Sequence, residues 1–142
     1  MKYVRLVLGV LVALYAAMGL YNFGTTIAVK GGMMALPASM AKFAPLVEAV
    51  AWWQVIALIV TLLIYLVAAW RLLRGGKAFM PYLVAVVLDT ALWLYAKTMP
   101  AYQQVFTAAD QQIEYGMMGT VAVGLLITWW TERPTAPSAA AA

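Results

Sequence analysis

The sequence predicts an all-α membrane protein, an antiparallel bundle of four transmembrane helices with both termini in the cytoplasm. Two features of its composition predict this: hydrophobic residues make up 66% of the 142 residues and charged residues only 10%, whereas globular domains carry about 25% charged residues. The third observation is that the apolar residues form continuous runs. A transmembrane β-strand would instead alternate apolar and polar residues over about ten positions, so the runs indicate helices.

Four apolar runs approach the length of a membrane span, since a hydrocarbon core about 30 Å thick takes about 20 helical residues. The runs cover residues 6–23, 49–70, 79–96 and 115–131. We therefore expect one transmembrane domain over residues 1–133. Residues 24–48 are less apolar and are expected to form an outer loop or an interfacial cap, and the small-residue tail 134–142 is expected to be disordered.

Basic residues lie mainly on one side of the predicted bundle. They precede the first run, fill the turn between the second and third, and follow the fourth: Lys2, Arg5, Arg71, Arg74, Lys77 and Arg133. Because cytoplasmic loops carry the excess of Lys and Arg, we expect both termini to be cytoplasmic. An alternative stays open, since the basic start, the apolar stretch and the small residues Ala16 and Ala17 also fit a cleaved signal peptide.

The residue types that the chain lacks restrict its chemistry. It contains no cysteine and no histidine, which excludes disulfides, thiolate nucleophiles and imidazole ligands for haem or zinc. Its two serines, Ser39 and Ser138, fall in the outer loop and the tail, so we expect no enzyme, no metal and no cofactor. Orientation and lipid headgroups explain the net charge of +4, so no nucleic-acid partner is expected.

Asp89 is the residue that most suggests a function. It lies about ten residues into the third run, so at about 1.5 Å per residue it sits close to the bilayer centre, where an unpaired ionised carboxylate costs several kcal/mol. The polar residues at comparable depth on the other helices are Tyr15, Gln54, Thr61 and Thr120. Asp89 is a proton or cation site of a carrier, a polar anchor for a substrate, or a structural carboxyl that joins helices or pairs with another subunit.

Small residues recur every four positions on two of the predicted helices. The stripes are Gly9, Ala13 and Ala17 on the first helix, and Gly116, Thr120 and Gly124 on the fourth. Such stripes let two helix backbones approach closely. We expect them to be helix-packing faces, either inside the bundle or against a partner chain.

Aromatic residues collect near the ends of the runs, as expected for rings that favour the membrane interface. A subset of them falls near the outer leaflet: Trp52, Trp53, Trp93 and Tyr95. These four are candidates for contact with a quinone or a lipid.

The order of residues in the first half of the chain resembles a known family. The first helix contains Arg5, Leu6, Leu8 and Gly9, then Gly19, Leu20, Asn22 and Phe23, and Glu48 stands at the start of the second helix after a loop with Pro and Met. This pattern is similar to the DoxX-like group of small four-helix membrane proteins. The resemblance implies a multi-pass protein of the bacterial inner membrane and carries over no catalytic motif.

Together these features predict a small non-enzymatic membrane protein, an accessory or structural subunit. It would act through helix contacts with membrane lipids, with other membrane protein subunits or with itself as a homo-oligomer. Two alternatives stay open. One is a small oligomeric carrier coupled to protons or cations that uses Asp89, and the other is a quinone-binding or lipid-binding membrane protein.

Overall fold

The structure, a computed structural model, describes residues 1–133, and within that range every regular element is a helix. The predicted disordered tail, 134–142, lies outside the described residues. The elements are α1 (Lys2–Lys30), a 3₁₀ helix (Ala38–Phe43), α2 (Ala44–Ala49), α3 (Trp52–Leu73), α4 (Phe79–Lys97), α5 (Pro100–Val105) and α6 (Ala108–Glu132).

Three of the described helices, α1, α3 and α4, are long and apolar enough to cross a membrane. The prediction of an all-helical fold is confirmed, and these three helices fit the prediction of a membrane protein. The fourth long helix, α6, has 25 residues but begins seven residues before the apolar run 115–131. It begins there because the Thr107 hydroxyl accepts from the Asp110 backbone N–H while the Asp110 carboxylate accepts from the Thr107 N–H, a capping box.

The long helices pack in chain order. α1 lies against α3, α3 against α4 and α4 against α6, while α1 and α6 meet only slightly. The core between them is made by Leu8, Val12, Ala16, Leu62, Tyr65, Ala68, Leu72, Tyr82, Ala85 and Val121. Large apolar side chains such as Leu11, Ile56 and Leu126 cover the outside, as expected of a surface that faces lipid rather than water.

A charged contact holds one end of the molecule together. We name this end the clamp end. Arg5, near the start of α1, lies 3.4 Å from the Glu132 carboxylate at the end of α6 and also donates to the Gly76 carbonyl after α3. The Glu132 carboxylate accepts from the backbone N–H groups of Ala78 (2.6 Å) and Phe79 (3.2 Å), so it caps the start of α4. Successive long helices therefore run in opposite directions.

The other end, which we name the capped end, is covered by the short helices α2 and α5, which pack on each other. Lys30 at the end of α1 donates to the Val47 carbonyl at 3.0 Å, and Lys42 forms an ion pair with Asp110 at 3.0 Å. Hydrogen bonds from the Thr107 backbone and from Lys42 lower the pKa of Asp110 to about 2. The predicted outer segment 24–48 thus contains the end of α1, the 3₁₀ helix and α2.

Candidate functional site

Asp89 lies at the middle of α4, where three long helices meet, and it is only 9% exposed. The Tyr15 hydroxyl of α1 donates to its Oδ2 atom at 2.7 Å. The Tyr65 hydroxyl of α3 donates to the same oxygen at 3.1 Å. One carboxylate oxygen thus joins α1 and α3 to α4.

The two tyrosines belong to a chain of aromatic contacts that extends to α6. The rings of Tyr15 and Tyr65 pack edge to face with centroids 5.3 Å apart, and those of Tyr65 and Tyr82 do so at 5.8 Å, the geometry that aromatic quadrupoles favour. The Tyr82 hydroxyl donates to the Val121 carbonyl of α6 at 3.2 Å. Gly124 makes room for it, because a side-chain carbon there would overlap the Tyr82 hydroxyl.

Asp89 has no basic neighbour in the described part of the chain. The ion pairs found there join Arg5 to Glu132 at the clamp end and Lys42 to Asp110 at the capped end. Neither pair lies at the middle of α4. Both hydrogen bonds to Asp89 reach Oδ2, and Oδ1 accepts none from residues 1–133. The carboxylate is therefore held firmly through one oxygen while the other is not used within the fold.

Asp89 borders a cavity of about 270 Å³ toward the capped end, which we name the capped-end cavity. All six α-helices or the residues next to them contribute to its wall, which is mainly apolar. Its polar side chains are Tyr15, Gln54, Asp89, Trp93, Tyr102 and Glu114. Two carboxylates therefore face one apolar cavity.

Glu114 of α6 is the second carboxylate of this cavity. Trp93 Nε1 donates to its Oε2 atom at 3.2 Å, and the Tyr102 hydroxyl donates to the same atom. Burial is the larger cause and the hydrogen bond to Glu114 the smaller cause of a pKa of Tyr102 above its usual value. The phenol therefore keeps its proton and donates it in the hydrogen bond to Glu114. Oε1 of Glu114 accepts no hydrogen bond from the described chain.

A second, smaller cavity lies on the other side of Tyr15, toward the clamp end. It measures about 170 Å³ and is bordered by α1, α3, α4 and α6. Tyr15 lines both cavities, and Tyr65 lines the smaller one. The hydrogen-bonded group of Tyr15, Tyr65 and Asp89 therefore separates the two cavities.

Gln54, like Tyr15, was predicted as a polar neighbour of Asp89, and it lies near Asp89 in the structure. It lines the same cavity but does not contact Asp89. Its Oε1 atom accepts from the Ala51 backbone N–H at 2.7 Å, and its Nε2 atom donates to the Met99 sulfur at 3.4 Å. Gln54 therefore caps the start of α3 and joins it to the capped end.

Thr61 and Thr120, the two threonines predicted to lie at the depth of Asp89, form hydrogen bonds within their own helices. Thr61 donates to the Ala57 carbonyl at 2.8 Å, and Thr120 donates to the Gly116 carbonyl at 2.9 Å. Both are bonds to the residue four positions earlier, the usual way in which a helical hydroxyl is satisfied. Thr120 borders the smaller cavity, and neither hydroxyl reaches Asp89.

Sequence reasoning did not identify Tyr65 or Glu114 as members of the site. Tyr65 stands four residues after Thr61, so the two residues share one face of α3. Thr61 was predicted to lie near Asp89 because of its depth in the membrane, and Tyr65 is the residue of this face that reaches Asp89. Glu114 stands just before the apolar run 115–131, so that run does not include it. A helix starting at Thr107, which the capping box signals, would have placed Glu114 within α6.

The small-residue stripes divide between the inside and the outside. Gly9 packs on α3, where an added side-chain carbon would lie 2.9 Å from Leu73, and Gly124 packs on Tyr82. Ala13 is half-buried against the core. The remaining members, Ala17, Gly116 and Thr120, lie on the outer surface.

The four candidate aromatic residues do not form one cluster. Trp93 lines the capped-end cavity. Trp53 packs on Tyr95 with ring centroids 5.3 Å apart, and both are about half exposed. Trp52 is also about half exposed, with the Lys30 ammonium 5.8 Å from its ring centroid.

No family model, no curated protein and no solved structure matches this chain. The similarity of its first half to the DoxX-like proteins therefore stays a prediction. What distinguishes the chain is its own geometry, a buried aspartate that accepts from two tyrosine hydroxyls beside the capped-end cavity.

Proposed function

We propose that this protein is a small membrane carrier in which Asp89 exchanges a proton for a cation near the middle of the bilayer. The observation that carries the proposal is the Asp89 carboxylate, which is buried, has no basic partner in the described chain and leaves Oδ1 unused beside a cavity. Acidic side chains at this depth are costly and are typical of ion and proton pathways.

The hydrogen-bond pattern favours a carrier over a purely structural carboxyl. A carboxyl with a purely structural role is expected to bond through both of its oxygens, as that of Glu132 does. Asp89 uses one oxygen only. The cavities on either side of Tyr15 suit a site that is reached from each side of the membrane in turn, as in carriers with a midplane site.

The proposal includes four membrane spans, with α6 as the fourth. A helix of 25 residues is about 37 Å long, enough to cross a bilayer, and its exposed side carries Met117, Val123 and Leu126. The proposed orientation puts the clamp end, where Arg71 and Arg133 lie, in the cytoplasm of a bacterial inner membrane.

Proton flux into lipid vesicles tests the proposal. The full chain is reconstituted with a trapped pH-sensitive dye, and gradients of Na⁺, K⁺ or choline are imposed in turn. We expect at least one cation gradient to drive proton movement faster than in empty vesicles. Asp89→Asn should lower that rate at least tenfold, while the matched surface variant Asp110→Asn should leave it unchanged.

Two results would overturn the carrier. One is a wild-type rate equal to that of empty vesicles with every gradient, and the other is an equal rate in Asp89→Asn and wild type. Folding of each variant is checked by thermal unfolding of the reconstituted protein. Asparagine keeps an acceptor oxygen for Tyr15 and Tyr65, so Asp89→Asn is expected to fold.

The second candidate is a subunit that docks on other membrane proteins or on a second copy of this chain. One observation favours it: nothing lies within 4 Å of the positions that side chains on Gly116 and Gly119 would occupy, on the outer face of α6. Native mass spectrometry from lipid nanodiscs would support this candidate by showing a stable complex that a bulky Gly116→Leu substitution dissociates. A chain that stays monomeric would contradict it.

A further inference from the structure

We infer that the capped-end cavity binds a compact organic cation, a substituted ammonium with an apolar body, between Asp89 and Glu114. This rests on the proposed carrier function and names the class of its substrate. The inference follows from the charge, the free oxygen atoms and the aromatic wall of the cavity.

The charge of the cavity wall has one sign. Its charged residues are Asp89 and Glu114, and no lysine or arginine is among the residues that line it. Each carboxylate has one oxygen that accepts two hydrogen bonds, from Tyr15 and Tyr65 in one case and from Trp93 and Tyr102 in the other. The other oxygen of each accepts none within residues 1–133, so both are available to a bound cation.

Lys97 packs on the ring of Trp93, the residue that donates to Glu114, and its ammonium is engaged elsewhere. Its ammonium donates to the Tyr115 hydroxyl at 2.5 Å and lies 4.6 Å from the Trp93 ring centroid. It forms no ion pair with Glu114 and does not line the cavity. Neither Asp89 nor Glu114 therefore forms an ion pair with a lysine or arginine of the described chain.

The remaining wall suits an organic cation better than a metal ion. Aromatic rings of five residues line it: Tyr15, Phe23, Trp93, Tyr102 and Phe106. Ring faces attract substituted ammonium groups and serve as their binding cages. Calcium, in contrast, takes about 6–8 oxygen ligands, and this mainly apolar wall offers few.

The volume limits the size of the cation. A single water needs about 10–15 Å³ of such space, and the cavity offers about 270 Å³. That suits a ligand with one ring and one ammonium group. Phenyltrimethylammonium is such a molecule, and tert-butylbenzene has the same shape without the charge.

Equilibrium dialysis of the full chain in mild detergent tests the inference, with radiolabelled phenyltrimethylammonium as probe. We expect saturable binding that excess unlabelled probe displaces and that tert-butylbenzene displaces at least tenfold less well. Glu114→Gln should weaken binding at least tenfold, because it removes a charge while keeping an acceptor for Trp93 and Tyr102. Glu48→Gln, an exposed residue at the same end, is the matched control and should bind as wild type does.

Phe106→Leu provides a second variant that leaves every charge in place. It removes an aromatic ring from the cavity wall and should weaken binding several-fold, with tert-butylbenzene affected less than the cation.

Three results would overturn the inference: no saturable binding to wild type, equal displacement by tert-butylbenzene, or unchanged affinity in Glu114→Gln. Equal displacement would indicate a site for an apolar molecule such as a quinone or a lipid. The failures of the two proposals can be told apart. Proton flux that depends on Asp89, without binding of phenyltrimethylammonium, rejects only the substrate class. The absence of both proton flux and cation binding rejects the carrier as well.

Discussion

Glu132 at the clamp end and Asp89 at the middle of the molecule are both carboxylates with little exposure to solvent, but their surroundings differ. Both oxygens of Glu132 are used, by Arg5 and by the backbone N–H groups of Ala78 and Phe79. Asp89 is held through one oxygen by two phenols and has no basic neighbour in the described chain. The first arrangement uses both carboxylate oxygens to hold helices together, whereas the second leaves one oxygen free beside a cavity.

Because both of its oxygens are used, Glu132 is the carboxylate whose removal should lower the free energy of unfolding the most. Glu132→Ala leaves Arg5 without its partner and two amides at the start of α4 without an acceptor. The side chains of Arg5 and Glu132 are only 16% and 12% exposed, so we expect a loss of about 2–4 kcal/mol in the free energy of unfolding. Unfolding in mixed micelles measures it.

Glu48→Ala is the control for Glu132→Ala, because Glu48 is exposed and its side chain makes no hydrogen bond among residues 1–133. We expect it to change the free energy of unfolding by less than about 0.5 kcal/mol. Equal losses in the two variants would contradict the structural role of Glu132.

Asp89 should show a smaller cost in stability and a clear dependence on the replacing residue. Asp89→Leu removes the acceptor of the Tyr15 and Tyr65 hydroxyls and should cost about 1–2 kcal/mol in the free energy of unfolding. Asp89→Asn keeps an acceptor oxygen and should cost less than about 0.5 kcal/mol. The same micelle titration compares them. A loss in Asp89→Asn as large as that in Glu132→Ala would mean that Asp89 is a structural carboxyl after all.

Much of this fold could be predicted from the sequence because the strongest signals are local. Continuous apolar runs indicate helices in lipid wherever they occur, and the position of Asp89 within its run gives its depth. Depth does not give the rotation of a helix about its axis. Tyr15 and Thr61 were selected by the same criterion, yet Tyr15 reaches Asp89 and Thr61 bonds to its own helix.

The second carboxylate of the cavity shows a different limit. Glu114 lies outside the apolar run, and only the capping box at Thr107 extends α6 far enough to bring it into the wall. The contact of Glu132 with the start of α4 joins residues 54 positions apart. Such a pairing depends on how α4 and α6 pack, which no periodicity in the sequence specifies.

Asp110 completes the comparison as an exposed carboxylate, and its effect should be the smallest. Its pKa is lowered to about 2 by the Thr107 backbone and by Lys42, from an ordinary value of about 3.9. A carboxylate with a lowered pKa in the folded state binds fewer protons there than in the unfolded state. It therefore stabilises the fold above about pH 4, and this contribution is lost as the pH falls through about 2.

The difference in thermal midpoint between wild type and Asp110→Asn should accordingly be small at neutral pH and should shrink as the pH falls from about 4 to about 2. Salt should reduce it as well, because the ion pair with Lys42 is solvent-exposed. A difference that stays constant over this pH range would show that Asp110 acts only as an uncharged cap of α6. In that case the ion pair with Lys42 would contribute nothing to stability, unlike the pair of Arg5 and Glu132 at the clamp end.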